Sequence, residues 1–260
     1  MKTLEIGKLK FPFSALRAYL ARSFFGSLLI LCLPLSVTLV PSKGFTSEPG
    51  FDAGLAAARQ GEYGLALQAW QPLAEQGLAK AQYGLGLLHV RGHGVPQSEI
   101  ETAGWFRKAA EQGHVDAQLK LGFLYQSGQG VTQDTAEAAR WYQRAAEQGD
   151  PDAQYNLGRL YSLGSGVAQD DEKAARLIQK SAKQGDADAQ YVLGQLYHQG
   201  VGVTQDHVTA HIWLSIAADN GLAQSSRQRD ELSARMAAAE LSEAQRRAHV
   251  CMSSEYQDCD

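Results

Sequence analysis

The chain has 260 residues, of which 44% are hydrophobic and 20% charged, so it holds enough apolar material for a packed fold and is not a disordered polypeptide. Its formal charge of −4 is unevenly placed: Lys2, Lys8, Lys10, Arg17, Arg22 and Lys43 face only Glu5 in the first 44 residues, leaving 18 cations against 27 anions beyond them. An acidic body repels phosphate, which argues against nucleic acid as a partner and against adsorption to anionic membranes.

Residues 1–44 read as an export signal. A basic stretch through Arg22 runs into the 17-residue apolar segment Phe24 to Val40, followed by Pro41, Ser42 and Gly44. The small residues suit a signal-peptidase cut and make Phe45 the expected mature N-terminus. The apolar run is also at the lower limit for crossing a bilayer, so the alternative is an uncleaved anchor. In both cases the basic flank stays cytoplasmic and the remainder is placed in the periplasm or outside the cell. Cys32 follows Leu31, where a lipoprotein needs a small residue, and is assigned to the signal.

Residues 45–50 are expected to be a linker. Residues 51–80 form a short first unit, from Asp52 to Arg59 and from Tyr63 to Gly77, with only Gly61-Glu62 between its two helical stretches.

Residues 81–224 contain an ungapped internal repeat. Ala81-Gln-Tyr-Gly-Leu-Gly, Ala117-Gln-Leu-Lys-Leu-Gly, Ala153-Gln-Tyr-Asn-Leu-Gly and Ala189-Gln-Tyr-Val-Leu-Gly are each 36 residues apart, and Gly113, Gly149, Gly185 and Gly221 close the units in the same register. Each unit predicts two helices. In the second, Asp116 is the expected N-cap of a helix A over Ala117 to Ser127, with Gly128 after its end. Asp134 and Glu137 read as a capping box opening a helix B that runs to Gln148, with Ala138, Trp141, Ala145 and Ala146 inward. Gly86, Gly122, Gly158 and Gly194 each cost about 1 kcal/mol against alanine inside helix A. A close approach between helix A and a neighbouring helix, where a Cβ would clash, explains their recurrence. Helices this short depend on burial against the next unit.

Residues 225–249, with the helical stretch starting near Ala223, are expected to cap the last apolar face as one helix or a pair. Residues 250–260 form a tail.

The motif Ala-Gln-Tyr-x-Leu-Gly-x-Leu-Tyr, then Gly-x-Gly-Val-x-Gln-Asp, then Ala-x-x-Trp-Tyr-x-x-Ala-Ala-x-Gln-Gly resembles the Sel-one-like repeat, a longer relative of the tetratricopeptide repeat. The resemblance implies an all-α, right-handed α/α superhelical solenoid with scaffold or adaptor roles, no cofactor and no shared catalytic mechanism. The first full unit departs from it at His89, where the others have Tyr125, Tyr161 and Tyr197, and at Tyr83-Gly84. Some relatives carry a disulfide in each repeat, and this chain has none there. Cys251 and Cys259 look like the C-terminal tail of some exported members. In an oxidising compartment they would close a loop that constrains the unfolded chain by about 2–3 kcal/mol; otherwise they are free thiols.

Catalytic signatures are missing. Neither Ser-x-x-Lys nor Gly-x-Ser-x-Gly occurs, and the recurring loop glycines join two helices without the Lys-Ser/Thr of a phosphate loop. A cell-wall or β-lactam hydrolase, suggested by some relatives described as binding penicillin-like compounds, is the rival reading; a purely structural spacer is another. His207 and His211 share a helix face but lack a third metal ligand, so a cap-proximal residue and a packing variation are expected; His93 reads as a solvent residue. The positions that vary while the core repeats are Tyr83, Leu87 and Val90; Leu119, Phe123 and Gln126; Tyr155, Arg159 and Ser162; and Tyr191, Gln195 and His198. This helix A stripe is the expected contact for a protein or peptide, the tyrosines being equally well explained as packing between repeats.

Overall fold

The computed structural model describes residues 49–256, 258 and 259. The expected signal or anchor and most of the expected linker lie outside these residues. The described residues form twelve helices and no strand: α1 (Pro49–Arg59), α2 (Tyr63–Glu75), α3 (Ala79–Arg91), α4 (Glu99–Glu111), α5 (Val115–Ser127), α6 (Thr135–Glu147), α7 (Pro151–Leu163), α8 (Asp171–Ala182), α9 (Ala187–Gln199), α10 (His207–Asp219), α11 (Ala223–Ser233) and α12 (Ala238–Ser253). From α1 to α11 each helix packs on its neighbours in the chain, and α12 packs on α10, so this is a solenoid of helix pairs.

Helix A of each full unit starts two residues earlier than the sequence pattern indicates. Asp150 and Asp186 cap α7 and α9 by accepting the N–H of Ala153 and Ala189 at 2.7 and 2.6 Å. The matching residue of α5 is His114, whose Nδ1 accepts from Ala117 N–H at 3.4 Å, and Asp116 instead sits in the first turn. Asp134 caps α6 as expected, but Glu137 does not close a box; its carboxylate pairs with Arg140 at 2.8 Å. Ala146 is only half-buried. Gly128 ends α5 at φ 78°, and Gly130, two residues on, sits at φ 68° against the Glu99 carbonyl at the start of the previous unit's helix B. A side chain at Gly130 would push adjacent units apart.

The glycines inside helix A make room chiefly for a helix B side chain, and at Gly158 and Gly194 the helix B backbone is close as well, the Ala174 and Ala210 carbonyls lying 3.2 Å from where a Cβ would be. A Cβ on Gly122 would come within 2.7 Å of the Tyr142 ring, and one on Gly158 or Gly194 within 2.8 Å of Ile178 or Leu214. Phe106 stands in the same way against Gly86. Phe106, Tyr142, Ile178 and Leu214 are also 36 residues apart, so a bulky residue of helix B is matched to an empty slot in helix A. The rule extends to the short first unit, where the Trp70 ring packs against Gly54 and Gly84.

The C-terminal end consists of two helices, α11 and α12, each packed on α10. α11 begins 36 residues after α9 and is a fifth helix A with most of its pattern lost: Arg229 and Asp230 stand where Leu193 and Gly194 do, while Ser225 and Leu232 remain buried. Helix α12 extends to Ser253, so the expected tail begins inside a helix. Cys251 and Cys259 are joined in a disulfide, with Cα atoms 4.5 Å apart, and both are buried with Leu193, Trp213 and Ile216.

Candidate interaction surface

The variable positions on helix A are divided between two pockets and packing contacts. Leu87 and Val90 of α3, Leu119 and Phe123 of α5, and Asn156 of α7 line a groove of about 430 Å³, floored by Phe106, Leu124 and Tyr142. Phe123 is 51% exposed and Val90 42%, whereas Leu87 and Leu119 are half-buried on the core. Arg91 and Lys120 also reach the groove, and Asp152 stands on its α7 side. The groove spans three units because their helices A are consecutive. Its floor comes from the repeating core positions and its rim from the non-repeating ones, of which Val90 and Phe123 stay exposed without a packing role in the core.

The remaining stripe residues are placed elsewhere. Tyr83 stacks on Phe106 and His114, with ring centroids 5.5 and 4.6 Å away, and burial raises its hydroxyl above the ordinary range, with Asp116 adding to the effect. Gln126 is occupied by the Tyr142 hydroxyl, which donates to its Oε1 at 2.8 Å; burial pushes Tyr142 up to about 12. Tyr155 lies partly in the core with the Arg159 guanidinium 5.7 Å above its ring. Tyr191 packs by Leu214 and Leu232, and its hydroxyl accepts from Gln195 Nε2 at 3.0 Å. Gln195 and His198 line a separate, smaller pocket of about 110 Å³ with Gln228, Glu231 and Arg235. The sequence expectation is thus resolved into a groove at Leu87, Leu119 and Phe123 and packing roles for the tyrosines and Gln126.

Of the histidines singled out in the sequence, His211 is a buried packing residue. Burial lowers the pKa of His211, followed by the positive field of Arg229, and its ring bonds Ser233 Oγ at 2.9 Å. His207 is exposed at the first turn of α10, and His93, instead of standing free in solvent, stacks on the Tyr63 ring at 3.9 Å. Among the described residues no group of three or more His, Cys, Asp or Glu side chains is placed to hold a metal ion.

The repeat profile decides the family. The Sel1 repeat profile matches residues 79–114, 115–150, 151–186 and 187–222, more than half of the chain. This chain belongs to the Sel1 repeat family. Sel1-repeat proteins are generally protein-interaction scaffolds and typically not catalytic. Among solved structures the chain is similar to a protective antigen of uropathogenic Escherichia coli with an SLR fold, at 40% identity and a TM-score of 0.63, over 65% of this chain and 36% of that one. It therefore spans about a third of the antigen's length. It is also similar to a Sel1 repeat protein from Oxalobacter formigenes, at 29% identity and a TM-score of 0.67, over 70% of this chain and 75% of that one. No curated protein matches it. Among the described residues no helix is long and apolar enough to cross a membrane.

A ladder of buried glutamines joins successive units. The glutamine after each repeat's first alanine, Gln82, Gln118, Gln154 and Gln190, is buried, and its Nε2 donates to the carbonyl of Ala74, Ala110, Ala146 or Ala182 at 3.0 to 3.3 Å. Its Oε1 accepts from Gln112, Gln148, Gln184 or Asn220 at 2.7 to 2.9 Å. The ladder's signal in the sequence is a polar residue invariant among core positions. The ladder ends where the Asn220 side chain also exchanges hydrogen bonds with the Tyr256 hydroxyl at 2.9 and 3.1 Å, beside the disulfide.

Proposed function

We propose that this Sel1-repeat chain is an exported, non-enzymatic scaffold that captures a segment of another protein in the groove lined by Leu87, Leu119 and Phe123. The observation that carries the reading is an apolar groove whose rim is made of non-repeating residues above a repeating core floor, with Phe123 half exposed. Burying an aromatic and two leucines against a partner supplies the desolvated centre on which interface affinity depends. Export is supported by the basic and apolar pattern of residues 1–44 and by a disulfide that suits an oxidising compartment.

The test is crosslinking and capture from intact cells, with mass spectrometry of both the captured proteins and the N-terminus of the scaffold. The wild type is expected to bring down a discrete partner that Phe123→Asp loses, and to be recovered from the envelope or medium, beginning at Phe45 or retaining its apolar segment. Partner capture unchanged by Phe123→Asp would overturn the groove, and recovery from the cytoplasm would overturn export.

A further inference from the structure

The groove is apolar at its centre but charged on its sides. On the α7 side, Asp152 belongs to a row of five carboxylates at the starts of α5, α7 and α9: Asp116, Asp150, Asp152, Asp186 and Asp188. The repeat register places them there, since Asp116, Asp152 and Asp188 are 36 residues apart, as are Asp150 and Asp186. Asp150 and Asp186 are committed to capping. The other three are exposed. Asp116 has His114 at 4.0 Å, and among the described residues Asp152 and Asp188 have no ion-pair partner.

Neighbouring carboxylates of the row repel one another. Burial raises the carboxyls of Asp150 and Asp186; the N–H bonds from Ala153 and Ala189 oppose this, and neighbouring carboxylates add to it, Asp152 and Asp116 at the first, Asp152 and Asp188 at the second. Lys120, within the groove, acts on Asp150 in the opposite sense. Arg91 lies at the C-terminal end of α3, whereas the carboxylates gather at the N-terminal ends of their helices. A ligand lying in the groove therefore meets apolar surface, the Arg91 and Lys120 cations, and Asp152 at its α7 edge, from which the carboxylates of Asp116 and Asp188 continue the row beyond the groove.

We infer that the occupant of the groove is an amphipathic segment of a partner protein, with bulky apolar side chains between Leu87, Leu119 and Phe123 and lysine or arginine side chains along Asp116, Asp152 and Asp188. This rests on the scaffold reading above and adds the chemistry of the partner. The apolar contact supplies affinity, and the carboxylate row selects and steers cations while repelling acidic segments. A second copy of this chain is a poor occupant, because its body carries 27 anions against 18 cations and would meet the row with like charge.

Selection of a random twelve-residue peptide library on the full chain tests this, with a synthetic peptide of the selected type then titrated against wild type, Phe123→Asp and Asp152→Asn/Asp188→Asn. The exposed positions of these substitutions leave the fold intact, which thermal melting checks. The expected peptides carry two or more large apolar residues with clustered Lys or Arg. Their affinity should fall at least about tenfold in Phe123→Asp. The Asn pair should weaken it several-fold, a loss that disappears near 1 M salt, where the Debye length is about 3 Å. Acidic or uncharged peptides that still require Phe123 would overturn this inference and leave the scaffold reading standing. No peptide requiring Phe123, or self-association of the chain through Phe123, would overturn both.

Discussion

The groove around Phe123 and the capped end around Trp213 are built on the same 36-residue register, yet they solve opposite problems. In α3 and α5 the variable positions are Leu87 and Phe123, left partly open, while the equivalent residues of α9 and α11 are Gln195 and Glu231, lining only a small polar pocket. At the C-terminal end the apolar surface is closed instead: α10 is buried along Thr209 to Ala217, covered by α9, α11 and α12, and the Cys251–Cys259 disulfide lies against Trp213. The difference teaches that the repeat fixes where helices lie, and that side chains outside the repeat decide whether a face is sealed or offered.

The largest contrast is expected in stability. Trp213→Ala removes a fully buried ring next to the disulfide and should cost about 3–5 kcal/mol, whereas Phe123→Ala, on a half-exposed ring, should stay within about 0.5 kcal/mol. Urea titration of the two variants measures both. Comparable losses would mean that Phe123 is a core residue and the groove is not an open surface.

A smaller effect should be shared by both regions. Gln118→Leu and Gln190→Leu each remove two hydrogen bonds of a buried glutamine, leaving the alanine carbonyl only the N–H of Gly113 or Gly185 and the Gln148 or Asn220 amide only the Gly113 carbonyl or the Tyr256 hydroxyl, so each should cost about 1–3 kcal/mol by chemical denaturation. A much smaller loss at Gln190 would show that the cap, with Tyr256 on Asn220, takes over what the ladder does elsewhere.

The pH response should be the mildest and should again come from both regions. Burial lowers His114 in the first and His211 in the second below the ordinary value of 6.5. The folded state thus prefers neutral imidazole at both sites: the stability this contributes is fully present above that value and is lost as pH falls through the lowered folded-state values. Melting curves between about pH 7.5 and pH 5 should show the decline, reduced in His211→Gln, and a flat profile would contradict it.

Most of the fold is legible in the sequence because leucines, alanines and glycines recur at one spacing without gaps, so a single unit predicts the others. The caps are only partly legible. Asp150-Pro-Asp152 and Asp186-Ala-Asp188 offer two candidates each, and aligning His114 with Asp150 and Asp186 identifies the first of each pair as the cap, the step at which choosing Asp116 went astray. The glycine slots are legible as close approaches, but not the partner, since Phe106, Tyr142, Ile178 and Leu214 share size and position without sharing identity. The groove was half legible. Variation marks Leu87, Leu119 and Phe123, but it marks Gln126 and Tyr191 equally, and their hydrogen bonds to Tyr142 and Gln195 depend on side-chain directions that spacing does not encode.

The claim that the open groove is the working surface is tested most directly by a photo-crosslinking amino acid placed at Phe123, and in a parallel strain at Gln195, in the full chain inside its own cells. A discrete adduct from position 123 that is weak or missing from position 195 is the expected result. Equal adducts from both positions, or an adduct from 195 alone, would contradict it.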